Sequence, residues 1–305
     1  MIEVDGLSKQ YGRRNAPAVD NVSFTINDGE ILGFAGLNGA GKTTTINCMS
    51  GVLLPSGGNV VVNGMDIVKN KAKASMNIGW VSEFPTFEQN VRPDRLLSYY
   101  AGFYGITGHD SEKRIREILA SVGLEKVIGR KIRTYSQGMK KRFALATAMI
   151  SDPLNYLLDE ILNGLDPEGV NYVRKQVLSL KKEGKSILLS THILGVLEDI
   201  ADRIVIIHRG RIMEVVSRER LKDLGKPSIR LKPNKVDNGL LSVLESFGNP
   251  VVDGAYVDIL GVSDAEPVAQ ELSAAVIKAG YKLSYINAEG ASLEQYFLEL
   301  TERNS

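Results

Sequence analysis

Nine consecutive residues, Gly36-Leu37-Asn38-Gly39-Ala40-Gly41-Lys42-Thr43-Thr44, satisfy G-x-x-x-x-G-K-[ST]. Glycines let a backbone turn so that successive N–H groups converge on a phosphate chain with no Cβ in the way. Lys42 then reaches the β- and γ-phosphates, and the Thr43 hydroxyl is a ligand for Mg²⁺. The blander reading is a tight glycine turn with nothing bound. The setting favours phosphate: the apolar run Ile31-Leu32-Gly33-Phe34-Ala35 precedes the loop and a helix-capable stretch from Thr44 to Ser50 follows it. Strand, loop and helix in that order add the positive N-terminal end of the helix to the anion site.

Two other groups have chemical potential. In Leu154-Asn155-Tyr156-Leu157-Leu158-Asp159-Glu160 an apolar strand ends in two carboxylates, which places acid at the carboxyl edge of a sheet, where α/β folds bind ligands. Asp159 is suited to hold Mg²⁺ directly or through water. Glu160 is then available to orient or deprotonate an attacking water. Alone, a strand-end Asp-Glu is usually a solvated turn; a phosphate loop in the same chain inverts that balance. The other group is Tyr135-Ser136-Gln137-Gly138-Met139-Lys140-Lys141-Arg142, just ahead of a helix that runs through Ile150. Ser136 has the type and place of an N-cap, and the exposed N–H groups behind it form a second anion site. By itself this segment reads as a capped helix and nothing more.

The elements that must carry these groups follow from periodicity. Ile2-Val4, Val19 to Ile26 and Asn59 to Asn63 read as short strands, the last closed by an Asn63-Gly64 turn, and together they suggest a small antiparallel layer. From about Asn90 to Ile150 the apolar spacing is helical. Strand and helix then alternate: Tyr156 to Leu158, a helix from Pro167 to Glu183, Ser186 to Leu189, a helix from Ile193 to Ala201, and Ile204 to Ile207. That rhythm predicts a mainly parallel sheet covered on both faces. Gly225-Lys226-Pro227 reads as a linker, followed by a βαββαβ pattern, a ferredoxin-like α+β module. A last helix is expected from Ser292 to about Arg303, capped by Ser292 with Gln295 and presenting Leu293, Tyr296, Phe297 and Leu300 on one face. The expected domains are 1–225, with a helical insertion at about 88–150, and 226–305.

The chain has 305 residues and a formal net charge of +1. Near-balanced charge implies no general affinity for nucleic acid. Its one cysteine, Cys48, has no disulfide partner and, with no charged-then-apolar leader at Met1-Ile2-Glu3, fits a reducing cytosolic compartment. No apolar run approaches the roughly 18 to 20 residues that span a bilayer, so any membrane role is expected to run through a separate chain.

The phosphate loop, the Ser-x-Gly segment, the strand ending in Asp159-Glu160, Asn163-Gly164-Leu165-Asp166 and Ser190-Thr191-His192, in that order, resemble an ATP-binding cassette (ABC) ATPase over roughly Ile2 to Gly225. The resemblance implies a head-to-tail dimer that buries two Mg·ATP, each between the Gly36, Asn38, Gly39, Ala40, Gly41, Lys42, Thr43 and Thr44 loop of one copy and Ser136 and Gly138 of the other. It further implies that Tyr11 stacks on adenine, that Asp166 lies on the loop crossing the dimer seam, and that His192 contacts the γ-phosphate. Glu83 stands where the family has glutamine and is expected to remain a metal ligand, since a carboxylate suits a hard cation. Other departures are Tyr-Ser-Gln-Gly-Met in the signature and Ile161-Leu162 in place of Pro-Thr. With the C-terminal module, these features are similar to the ATPase subunits of drug and antibiotic exporters. That branch implies a separate integral membrane permease, reached at the aromatics Phe84, Phe87 and Tyr99 to Tyr104, and a place on the cytoplasmic face of the cell membrane. Two rivals are a non-transport ABC ATPase acting on ribosome or nucleic acid, and a small-molecule kinase. The first usually carries two cassettes or long insertions, and the second has no need of the Ser136 segment.

Overall fold

The computed structural model describes residues 1–12, 16–220, 228–262, 265–288, 296, 297 and 300. It divides into two compact units, Met1–Val216 and Ser217–Ser305. The linker expected at Gly225 to Pro227 lies outside the described residues. So does the expected terminal helix, apart from Tyr296, Phe297 and Leu300.

The first unit begins with β1 (Ile2–Lys9), β2 (Val19–Ile26) and β3 (Ile31–Ala35), followed by α1 (Lys42–Met49). β4 (Gly57–Val62) and β5 (Met65–Asp66) pair with Val62 opposite Met65. Asn63 and Gly64 between them have φ of 48° and 77°, the doubly positive turn that Asn-Gly favours in a two-residue hairpin. These strands form an antiparallel sheet of order β2-β1-β4-β5, the layer anticipated from the alternating pattern.

After α2 (Lys71–Ser75) and β6 (Ile78–Val81) come the helices α3 (Pro93–Phe103), α4 (Gly108–Ser121) and α5 (Gln137–Met149). The chain then returns through β7 (Asn155–Asp159), α6 (Pro167–Lys182), β8 (Ser186–Ser190), α7 (Leu194–Ile200), β9 (Arg203–His208) and β10 (Arg211–Ser217). The larger sheet has the order β10-β9-β3-β8-β7-β6, and β9, β3, β8, β7 and β6 run parallel. Every residue of β3, β7 and β8 is buried, which is why these strands are continuous apolar runs: a parallel sheet roofed on both faces has no wet side. Between the two sheets lies one core that contains Val4, Phe24, Ile46, Cys48, Leu157 and Val205. Burial pushes the Cys48 thiol up to about 11, so it is an apolar filler and not a nucleophile.

The second unit is β11 (Ile229–Pro233), α8 (Asn238–Leu244), β12 (Asn249–Asp253), β13 (Tyr256–Leu260), α9 (Ala265–Lys278) and β14 (Leu283–Asn287). Its sheet order β12-β13-β11-β14, with all neighbours antiparallel, is the expected ferredoxin-like βαββαβ arrangement. Ile229, Leu231, Val257 and Ile259 meet Leu240, Leu244, Leu272 and Val276 of the helices in its core.

Candidate nucleotide-binding site

Strand register determines the site. Phe34 of β3 and Asp159 of β7 both stand opposite Ser190 of β8, so the loop after β3 and the carboxylates at the end of β7 emerge side by side at one sheet edge. Val81 of β6 pairs with Leu158, which brings Glu83, two residues past the strand, to the same edge. A cavity of about 260 Å³ opens there between the phosphate loop, Lys42, Thr43, Thr44, Glu83 and Glu160.

The loop demands glycine at two points for steric reasons. A Cβ on Gly36 would stand 2.6 Å from the Ile207 carbonyl. Gly41, at φ of 108°, would put its Cβ 2.6 Å from the Ala18 carbonyl, a conformation and a contact that an L side chain cannot share. Lys42 opens α1 and is almost fully buried. Its Nζ donates to the Gly36 carbonyl at 2.6 Å and the Leu37 carbonyl at 3.3 Å, and lies 3.2 Å from Oε1 of Glu160.

Glu160 adopts φ of 47°, and its side chain lines the cavity. Its Oε2 accepts from Asn163 Nδ2 at 2.6 Å and lies 3.3 Å from Nδ1 of His192. The sequence leaves Glu160 free to act on water; in this arrangement it is engaged on three sides, because a carboxylate that is 4 % exposed must be compensated by protein groups. Asp159 accepts from the Ser190 hydroxyl at 2.6 Å and from Thr43. Burial, reinforced by the neighbouring Glu160 charge, nevertheless holds its pKa above the ordinary carboxylate value. Glu83 is raised as well, first by burial and then by Asp159 and Glu160.

A group whose folded pKa is raised holds its proton more tightly folded than unfolded, so stability falls as pH climbs from the ordinary carboxylate value through the folded one. With EDTA and without nucleotide, Asp159→Asn is therefore expected to melt higher than the unmodified chain at pH 7, with a smaller difference at pH 4. A thermal-shift series across that range measures it, and a gap that does not widen with pH removes the buried charge as its cause.

The other residues expected from sequence divide clearly. His192 is largely exposed and meets the site through the Glu160 carboxylate, 3.3 Å from its Nδ1. Tyr11 is half exposed, with its hydroxyl 3.4 Å from Oγ1 of Thr44 and the Lys9 ammonium 5.6 Å from its ring centroid. Ser136 caps α5 by accepting from the Met139 N–H at 3.2 Å, and Asp166 caps α6 by accepting from the Gly169 N–H at 3.0 Å. Neither joins this cavity; Gly138 instead abuts Leu165 of the Asn163-to-Asp166 loop. Ile161 and Leu162, which replace Pro-Thr, are fully buried core residues. Sequence reasoning missed three participants. Ser190 and Asn163 stand in motifs whose pattern gives them no role of their own, and Lys141 lies in a segment that by itself reads as a capped helix and nothing more. It is buried, and its Nζ donates at 2.6 Å to the Glu160 carbonyl.

A strand-to-helix G-x-x-x-x-G-K-T loop beside a strand-end Asp-Glu, on a parallel sheet, defines a P-loop nucleoside triphosphatase. Residues 19–163 match the family model described as ABC transporter. The chain is 33% identical, over 100% of its length and 98% of the relative's, to the uncharacterized ABC transporter ATP-binding protein YcbN of Bacillus subtilis (strain 168). It is 31% identical, over 98% of its length and 97% of the relative's, to the bacitracin transport ATP-binding protein BcrA of Bacillus licheniformis. A solved ATP binding subunit of an ABC transporter superposes with TM-score 0.66 at 30% identity, covering 71% of this chain and 89% of that one. The chain belongs to the ABC transporter ATP-binding proteins: it is an ATPase that serves as the nucleotide-binding subunit of a transporter.

Proposed function

We propose that two copies of this chain close head-to-tail on Mg·ATP and that hydrolysis reopens them, driving a separate membrane-spanning subunit that exports its substrate. We assign nucleotide binding to the first unit and an accessory role to the second. The observation that carries the reading is the carboxylate of Glu160 lying 3.2 Å from Lys42 at the mouth of the phosphate loop. This proximity supports reading Glu160 as the base beside the group that would hold the transferring phosphate.

In this reading the backbone N–H groups of the loop bind the phosphate chain, and Lys42 moves from the Gly36 and Leu37 carbonyls to the β- and γ-phosphates. Glu160 accepts the proton of the attacking water, while His192 donates to the γ-phosphate from the solvent side. Ser136 and Gly138 of the second copy complete the donor set, which suits their position outside their own cavity. Thr43, Asp159 and Glu83 form a hard oxygen donor set for Mg²⁺, which would offset charge on the phosphates.

Among the described residues no helix is long and apolar enough to cross a membrane. A candidate surface for the membrane partner is formed by Phe84, Tyr99, Phe103 and Tyr104, all exposed, with Tyr99 and Phe103 edge to face at 5.0 Å. Phe87, expected in the same surface, instead stacks edge-on against Phe143 at 4.8 Å within the helical subdomain. The likeness to a bacitracin transport protein supports export of antibiotic-type molecules.

Gly138→Asp tests the two-copy site. Its added Cβ comes tightest to the flexible end of Leu165, at 3.2 Å, and stays at ordinary contact distance, 3.7 Å, from the Gly164 carbonyl, so the chain should fold and bind ATP at its own loop. A carboxylate at that point repels a γ-phosphate. Nucleotide-driven dimers, measured by sedimentation in the full transporter or the purified chain, and phosphate release are both expected to fall below detection. Retained dimerisation and turnover would exclude the shared site.

A further inference from the structure

Lys141 is a lysine in the wrong place for a solvated face. It lies on α5, is 8 % exposed, and gives its ammonium to a main-chain carbonyl instead of a carboxylate partner. That carbonyl belongs to Glu160, whose N–H in turn donates to the Ser190 carbonyl at 3.2 Å and the Ser190 hydroxyl at 3.0 Å. The Glu160 backbone is therefore held at its N–H by β8 and at its carbonyl by two donors, the closer being Lys141 of α5 at 2.6 Å and the other the Asn163 N–H of the following turn at 3.2 Å. A non-glycine residue at φ of 47° needs such restraint, because the left-handed region is unfavourable for it.

From this geometry we infer that Lys141 is a positioning residue for hydrolysis: by hydrogen-bonding the Glu160 carbonyl it fixes the backbone conformation that aims the Glu160 carboxylate at the γ-phosphate. The inference rests on the reading of Glu160 as the base. A cation suits the task better than a neutral donor because Glu83, Asp159 and Glu160 surround it. Burial lowers its pKa while the three acids oppose that shift, Glu83 most strongly. Lys42 cannot do the same once phosphate claims it. The placement also ties two parts of the mechanism together. The helix that begins at Ser136, facing the nucleotide of the second copy in the proposed dimer, holds the base in its own copy five residues later. Closure around one ATP thus has a direct mechanical route to the geometry of the other site.

The test uses the purified full-length chain with kcat and KM for Mg·ATP and the affinity for a fluorescent ATP analogue. Lys141→Met removes both charge and donor. It is expected to lower kcat about a hundredfold, the cost of misplacing a catalytic group by roughly 1 Å, with KM and analogue affinity changed less than about threefold. Lys141→Arg and Lys141→Gln, which keep a donor, should recover at least about tenfold of that loss. A purely structural lysine would lower the yield of folded protein without splitting kcat from KM. The inference is overturned if folded Lys141→Met turns over ATP within about threefold of the unmodified chain, or if both donor-bearing variants are folded and as slow as Met. Should the Met variant not fold, Lys141→Arg decides: turnover within about tenfold of the unmodified chain at unchanged KM agrees with the inference, and a folded Arg variant about a hundredfold slower overturns it. Glu160→Gln measured alongside separates the two failures. If that variant is active, the reading of the base fails; if it is inactive and Lys141→Met is not, only the assignment to Lys141 fails.

Discussion

Replacing Glu160 by Gln is expected to cut the rate of phosphate release by about three orders of magnitude, within the range for loss of a positioned general base, while ATP binding is unchanged or tighter. The binding half of that expectation comes from Lys42. Its ammonium is shared between two loop carbonyls and the Glu160 carboxylate at 3.2 Å. A γ-phosphate has to win it away. A neutral amide competes less, so the variant holds ATP at least as well, and because it does not convert ATP to products it should accumulate as the closed dimer. Phosphate release and a fluorescent-nucleotide titration on the same preparation check both halves. Turnover within a factor of about ten of the unmodified chain is too small a loss for a general base and would assign the proton to another group.

Lys42→Met is expected to fail twice. It removes the charge-assisted bonds to the phosphates, a loss of about 1.5–3 kcal/mol or roughly ten- to a hundredfold in affinity. It also strips the Glu160 carboxylate of its cation inside the cavity, and breaking a buried pair by removing one partner costs about 3 kcal/mol or more. The first effect appears in the nucleotide titration. The second appears as a lower melting temperature without nucleotide, and it should be recovered by adding Glu160→Gln, which removes the stranded charge. If Lys42→Met melts as the unmodified chain does, then Asn163 and His192 alone are enough to hold the carboxylate.

What could be read from the chain follows from how local each signal is. The phosphate loop is legible because its tight turn needs left-handed backbone, with φ of 81° at Gly39 and 108° at Gly41, a demand set within the loop itself; the Ile207 and Ala18 carbonyls that crowd Gly36 and Gly41 are brought there by the fold. Ser136 is recognisable as a cap because an N-cap bonds only two or three residues ahead; that Asp166 caps α6 in the same way came from the structure. The βαββαβ order of the second unit was likewise carried by periodicity alone. The aromatic stretch was less transparent. Phe84 and Phe87 are three residues apart and of the same type, yet one is exposed and the other stacks on Phe143, which only helix packing could separate.

The order of motifs along the chain, set by residue type and spacing, was enough to determine the sheet that carries them, the nucleotide chemistry and the family. Tertiary structure alone decided how the charges inside the cavity balance. Ser190 bridges β7 and β8, Asn163 and His192 reach one oxygen of Glu160, and Lys141 crosses from a helix to a carbonyl nineteen residues away. Those pairings depend on strand register and helix placement, and a buried ion's partner is chosen by distance in space, which residue types along a chain do not encode.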